Sequence, residues 1–325
     1  MGRFFAQNGE PPNRIIMATS LYTHPDCIAH DPGPHHPEHP DRLRAVLAAL
    51  EGPEFAGLVR HEAPKADVAQ IALNHEAWYV EAILANLPTR GYAHLDADTA
   101  VSPRSGDAAL RAAGAICAAI DEVVAGKIAN AFCAVRPPGH HAEAARAMGF
   151  CVFNSVAVGA KHARAAHGLK RIAVLDFDVH HGNGTQNSFW DDAGLFYGSS
   201  HQSPFYPGTG AEYERGTRDN IANVELPAGA GAEEFRAGWS NRILPALDRF
   251  GPDLVIVSAG FDAHDDDPLA SLRLHEDDYA WITGEIMAIA KARASGRLVS
   301  SLEGGYDLRA LAASAAAHVR VLMAG

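Results

Sequence analysis

The chain has 325 residues, 47% of them apolar, and a net charge of −12. That is the composition of a globular protein long enough to build a large core. Without any block of Lys and Arg it excludes nucleic acid as an expected partner, because such binding rests on clustered cations. The negative charge suits a cationic substrate such as a lysine-rich segment or a polyamine, and it serves solubility equally well.

In chain order, the opening MGRFFAQNGEPPNR has no signal-peptide core, and position 6 is Ala where a myristoylation site has Ser or Thr. With no apolar stretch of about 18 residues, a cytoplasmic chain without a membrane partner is expected. Residues 1–13 or so read as an N-terminal extension. Nothing downstream resembles a linker, so residues 1–325 read as a single domain. Short apolar runs then alternate with amphipathic segments. Ile15–Leu21 reads as a first strand. Asp107–Ala125 reads as a helix, with Leu110, Ile116, Ile120 and Val123 on one face and Gly126 to end it. Ala131–Val135 is a strand, Asn154–Ala166 a helix that meets Gly168, and Arg171–Asp176, Leu195–Ser199 and Asp253–Ser258 are strands. Glu276–Ser295 is a helix with acidic residues in its first turn and Lys291 and Arg293 in its last, and Arg297–Leu302 is a further strand. The strand runs are continuously apolar, as in a parallel sheet covered on both faces, and the alternation predicts a three-layer α/β fold. Cys27, Cys117, Cys133 and Cys151 lie far apart without a C-x-x-C pair, so neither a disulfide framework nor a thiolate zinc site is expected.

Four of these strands run into loops rich in polar, ionisable or glycine residues: RPPGHH, DFDVHHGNG, AGFDAHDDD and EGGYD. Ligands bind at the carboxyl ends of strands in open α/β sheets. In DFDVH, Asp178 and His180 share one face of an extended segment, and both are zinc-ligand types. A catalytic zinc takes three protein ligands and keeps a position open. Asp262 is the leading third ligand, with His264 and Asp265 as alternatives. Pro137-Pro138-Gly139 fixes where His140 and His141 point; adjacent histidines there suit proton transfer or metal ligation. Asp176 and Asn183 can orient these rings. Tyr306, after Gly304-Gly305, can donate to an oxyanion. Gly182-Asn183-Gly184 and Pro207-Gly208-Thr209-Gly210 read as tight turns, and Cys151, among Phe150, Val152 and Phe153, as a buried inert thiol. No serine-hydrolase elbow or phosphate loop occurs.

Taken in order, RPPGHHA (136–142), GFCVFNS (149–155), LDFDVHHGNGTQ (175–186), YPGTG (206–210), SAGFDAH (258–264) and LEGGYD (302–307) resemble the histone deacetylase and acetylpolyamine amidohydrolase family. HPEHPDR (36–42) is similar to its class II branch, bacterial members included. The resemblance implies an arginase-like α/β fold with a central, mostly parallel sheet, and a zinc amidohydrolase acting on acylated lysine or an acetylated polyamine. It assigns zinc to Asp178, His180 and Asp262. His141 becomes general base and acid, and His140 an electrostatic partner held by Asp176. Asn183 stands beside His141, where class I members carry Asp, and Tyr306 stabilises the transition state. Phe150 and Tyr206, with Gly149 and Leu269, line an acyl-lysine tunnel, and Tyr replaces the usual Phe at position 206. Arg42 resembles the arginine of an inner acetate-release cavity. Asp176, Asp178, His180, Ser199 and Ser200 line up with a structural potassium site, and Phe189, Asp192 and Leu195 with a second. Leu269 occupies the place of a gatekeeper Glu in a polyamine-selective member, which favours acyl-lysine. Rival readings are a binuclear arginase-type hydrolase, a silent acyl-lysine binder and a polyamine deacylase. A homo-oligomer is compatible with everything above.

Overall fold

The computed structural model of the chain describes residues 18–325; the N-terminal extension and the first residues of the expected strand Ile15–Leu21 lie outside that range. Ten strands follow one another: β1 Thr19–Thr23, β2 Val59–Glu62, β3 Ala93–His94, β4 Ala100–Val101, β5 Asn130–Cys133, β6 Ile172–Asp176, β7 Leu195–Gln202, β8 Ile221–Leu226, β9 Leu254–Ala259 and β10 Leu298–Leu302. Eight form one sheet in the order β2-β1-β5-β10-β9-β6-β7-β8, and every pairing in it is parallel. β3 and β4 make a separate antiparallel pair. The expected strands all appear, most within one or two residues of their expected ends, but β1 starts at Thr19 and not Ile15, and β7 runs on to Gln202. β2 and β8 of the main sheet and the short pair β3 and β4 were not expected. β2 (VRHE) is a partly exposed edge strand and carries no apolar run, and β8 follows a long polar loop.

The strand order explains the site. β5, β10, β9 and β6 carry the four chemistry-bearing loops, and they are neighbours at the centre of the sheet. Residues more than 160 positions apart in sequence therefore meet at one set of carboxyl ends.

Helices cover both faces. Ser105–Val124 packs with Ser155–His167, while Asp41–Ala49, Glu276–Arg293 and Leu308–Ala324 pack together as a second group. On β5 the alternation of side chains turns Phe132 to His318 of the last helix and Cys133 towards Cys117 of the first. The helix ends follow their capping chemistry. Asn154 accepts the Ala157 N–H at the start of Ser155–His167, and Gly168 ends that helix in the left-handed region at φ 68°. Asp307 caps Leu308–Ala324 by accepting from the N–H groups of Arg309 and Ala310. Gly182–Gly184 is not the tight turn expected, because Asn183 opens the helix Asn183–Phe189. All four cysteines are free and buried.

His318 lies in the core between Phe132, Phe177 and Phe261. The Thr283 hydroxyl donates to the Tyr279 carbonyl, so His318 Nδ1–H donates to Thr283 Oγ1 and Nε2 accepts from Ser300 Oγ. Burial pushes this imidazole down to about 3. The unfolded chain binds a proton near pH 6.5 and the folded chain does not, so folded stability falls as pH drops from about 6.5 towards 3, by up to about 1.4 kcal/mol per pH unit for this group. His318→Gln should flatten the acid limb of a denaturant-measured stability–pH curve by up to one proton. An unchanged slope would remove His318 from the acid response.

Candidate active site

The loops after β6 and β9 bring Asp178, His180 and Asp262 together. One ligand atom from each lies within 4.8 Å of the others. His180 Nδ1 is 3.1 Å from Asp178 Oδ1 and 3.2 Å from Asp262 Oδ2. Backbone N–H groups aim the carboxylates. Gly304 N–H donates to Asp178 Oδ2 at 2.8 Å, His180 N–H to Asp178 Oδ1 at 2.9 Å, and Val179 N–H to Asp262 Oδ1 at 2.8 Å. Two glycines make the room, since a Cβ on Gly260 would stand 2.1 Å from Asp178 Oδ2 and one on Gly304 2.1 Å from Asp262 Oδ2. Burial, and the Asp178 carboxylate beside it, push the Asp262 carboxyl above its usual range. Two crowded carboxylates, one imidazole nitrogen and an open side fit a zinc ion. The alternative third ligands are turned elsewhere: His264 faces His275 and Glu276, and Asp265 faces Arg273.

Beside this trio stand the tandem histidines, whose rings are 4.0 Å apart. His140 Nδ1 meets Asp176 Oδ2 at 3.0 Å, an oxygen that also accepts from the Tyr197 hydroxyl. Burial opposes charge on His140, yet the carboxylates of Asp178 and Asp176 lift it to about 10. His141 Nδ1 lies 2.9 Å from Asn183 Oδ1, and the Asn183 amide nitrogen donates to Glu143. Nδ1 of His141 is therefore the protonated nitrogen, which leaves Nε2 free to take a proton. Burial and the neighbouring His140 and His180 hold His141 well below the usual histidine range.

Glu303, which was not singled out among the candidate residues, anchors the histidine turn. Its buried Oε2 accepts from the N–H groups of Gly139 at 2.6 Å and His140 at 3.3 Å, and Oε1 accepts from the Ser258 hydroxyl. Burial raises its carboxyl to about 7. A charged side chain closing an apolar strand was the available signal. Arg42 is fully buried. It donates to the carbonyls of Glu303 and Gly305 and to Glu38 Oε1, and its guanidinium lies 4.8 Å over the Tyr306 ring. Glu38 also pairs with Arg136, so a buried ionic network supports the loop carrying Tyr306. Burial holds the Tyr306 phenol well above its usual pKa, which keeps it a donor.

His141, Phe150, Tyr206, Leu269 and Tyr306 line a pocket of about 150 Å³ that His180 also reaches. Phe150 meets Tyr306 edge-on at 5.9 Å, and Tyr206 meets His141 edge-on at 5.2 Å. Gly149 N–H donates to Asp98, which also borders the pocket. Gly149 has φ 57°, and a Cβ there would lie 2.3 Å from the His141 ring. Gly149→Ala should displace that ring and lower kcat by at least the 10²-fold that small misplacements cost at unchanged metal content. Activity within about threefold of the parent would show that the His141 position is not critical.

Asp176 and Ser199 are register partners on β6 and β7, with Ser200 next. Their side chains are engaged: Asp176 with Asp178 N–H, His140 and Tyr197, Ser199 with His201, and Ser200 with the Trp239 indole. The carbonyls of Phe189, Asp192 and Leu195 accept instead from Asn220 Nδ2, at 2.8, 3.2 and 2.7 Å.

The chain is similar to known proteins along most of its length. Residues 36–322 match the histone deacetylase domain. The chain is 37% identical to a histone deacetylase-like amidohydrolase of Pseudomonas aeruginosa, across 90% of this chain and 83% of that one. It is 36% identical to type-2 histone deacetylase 2 of Dictyostelium discoideum across 93% of this chain, and spans only about a fifth (21%) of that relative's length. The crystal structure of the HDA15 HD domain superposes with a TM-score of 0.89 at 34% identity, covering 95% of this chain and 89% of that one. No helix among the described residues is long and apolar enough to cross a membrane. The parallel eight-stranded sheet flanked by helices is the arginase/deacetylase-like fold, and the chain belongs to the histone deacetylase family.

Proposed function

We propose that the chain is a zinc-dependent amidohydrolase that removes acetyl or other acyl groups from the ε-amine of lysine. The observation that carries this reading is one narrow pocket lined by His141, Tyr306 and His180, the last of which belongs to the Asp178–His180–Asp262 trio. Asp178, His180 and Asp262 would hold a zinc ion, which would supply Lewis acidity towards an amide carbonyl and a water molecule. His141 takes the water proton as the oxygen attacks the carbonyl carbon. Tyr306 donates a hydrogen bond to the tetrahedral oxyanion, a contact worth about 3 kcal/mol in comparable sites. His140, held by Asp176 beside His141, is placed as an electrostatic partner for the negative transition state. His141 then passes its proton to the amine nitrogen as the C–N bond breaks, giving a free amine and a carboxylate. Phe150 and Tyr206 suit a slim methylene stem.

Backbone carbonyls beside Asp176, Asp178, His180, Ser199 and Ser200 are the oxygen donors that suit a potassium ion, and we read that region as a structural site. Leu269 presents an apolar rather than an anionic group at the pocket, which supports acyl-lysine peptides over acetylated polyamines. A panel of acetyl-lysine peptides, acetylpolyamines and longer acyl amides, assayed for acetate or acid release, tests the proposal. Fastest turnover on acetyl-lysine peptides is expected. Preference for acetylpolyamines would move the substrate class, and peptide binding without release of acid would overturn the reading.

A further inference from the structure

Away from the pocket, a carboxylate and two imidazoles meet at the ends of two packed helices. Asp121 lies in the last turn of Ser105–Val124, and His162 and His167 lie in the second half of Ser155–His167. His162 Nε2 is 2.8 Å and His167 Nε2 2.6 Å from the same oxygen, Asp121 Oδ1. The two rings stand 5.9 Å apart at 84°, so their edges converge on one point. We propose that Asp121, His162 and His167 form a second metal site, for a borderline divalent ion such as Zn²⁺, Ni²⁺ or Co²⁺.

Three features favour an ion over a bare hydrogen-bonded cluster. Two imidazoles and a carboxylate suit nitrogen-seeking transition metals and not Mg²⁺ or Ca²⁺, which prefer oxygen. Both helices end here, and helix carboxyl ends carry partial negative charge that attracts cations. The nearest basic residue of that turn, Arg164, is paired with Asp192. The tautomers are also open. Among the described residues neither Nδ1 has a hydrogen-bond partner, so each ring can carry its proton there and present the Nε2 lone pair. A similar trio, His264, His275 and Glu276, fails this requirement. His264 Nδ1 accepts the Asp266 N–H at 3.0 Å, so its Nε2 holds the proton and cannot ligate.

The geometry needs little change. Bonds of about 2.0 Å in a tetrahedral site put ligand atoms about 3.3 Å apart. Against 2.8 and 2.6 Å, the imidazoles must draw back by about 0.5 and 0.7 Å. The Asp121 side chain is 49% exposed and that of His167 24%, so both can move, and solvent supplies the remaining positions. The ion would pin together two helices that cover one face of the sheet.

Equilibrium dialysis of the full chain against ZnCl₂ or NiCl₂, with metal counted per chain, tests the site. The parent should hold one ion more than His167→Ala, and His167→Gln should match His167→Ala, because Gln lacks the imidazole nitrogen. Ni²⁺ should raise the Tm of the parent by more than that of either variant, Mg²⁺ should not separate the three, and deacylation should be the same in all three. Equal metal counts in parent and variants, or an equal Ni²⁺ shift in Tm across the three, would overturn the proposal. Since the comparison turns on His167 alone, it stands whether or not the reaction centre holds zinc.

Discussion

Tyr306→Phe is expected to lower kcat on an acetyl-lysine peptide by two to three orders of magnitude, with metal content and KM nearly unchanged. The expectation rests on how the ring is held. Arg42 lies over one face, Phe150 meets it edge-on, and the Tyr306 backbone N–H donates to Asp267 Oδ2 at 2.7 Å. None of these contacts uses the hydroxyl, so Phe should sit in the same place. What disappears is one donor aimed at the charge that develops as the carbonyl becomes tetrahedral. Removing a comparable oxyanion donor costs about 10²–10³ in kcat. The loss should appear in kcat because the interaction is made in the transition state more than in the ground state. Steady-state kinetics with metal analysis check this, and activity within tenfold of the parent would take Tyr306 out of the mechanism.

The largest effect is expected of Asp262→Ala, which should abolish deacylation and tight zinc binding together. The variant loses one of three ligands, and the Val179 N–H that aims the carboxylate loses its acceptor. The fold should survive, because removing this carboxylate relieves the burial and the repulsion from Asp178 that raise its pKa. A thermal melt should therefore place the variant no lower than the metal-free parent. A variant that still holds zinc tightly at the reaction centre, shown by zinc loss on further mutating Asp178, would refute the assignment of Asp262 as a ligand.

Much of the site was legible because the strands run straight into it. Buried parallel strands are continuously apolar, so ionisable residues at their ends stand out, and Asp178, His180, His140 and His141 were marked in this way. The strand order was not legible, since nothing local in a sequence says that β10 inserts between β5 and β9. That order is what sets Glu303 against the turn before His140. Gly182 and Gly184 misled in an instructive manner. Glycine is a poor helix former, so a turn was expected, yet Asn183 opens a helix. A Cβ on Gly184 would stand 2.2 Å from the Ala142 carbonyl, and one on Gly182 2.5 Å from Asp176 Oδ2. Close packing against the loops that carry His140, His141 and Asp176 explains these glycines better than backbone freedom does. Arg42 was linked by resemblance to an acetate-release cavity. Its contacts to Glu303, Gly305 and Tyr306 also give it a supporting role for the Tyr306 loop.

The most direct test of a metal-dependent amide hydrolase is acetate release from an acetyl-lysine peptide by chelator-treated protein. We predict no release until zinc is added back, then equal amounts of acetate and free lysine amine, with Asp178→Ala silent in both conditions. Hydrolysis that continues in the metal-free chain and in Asp178→Ala would contradict the account.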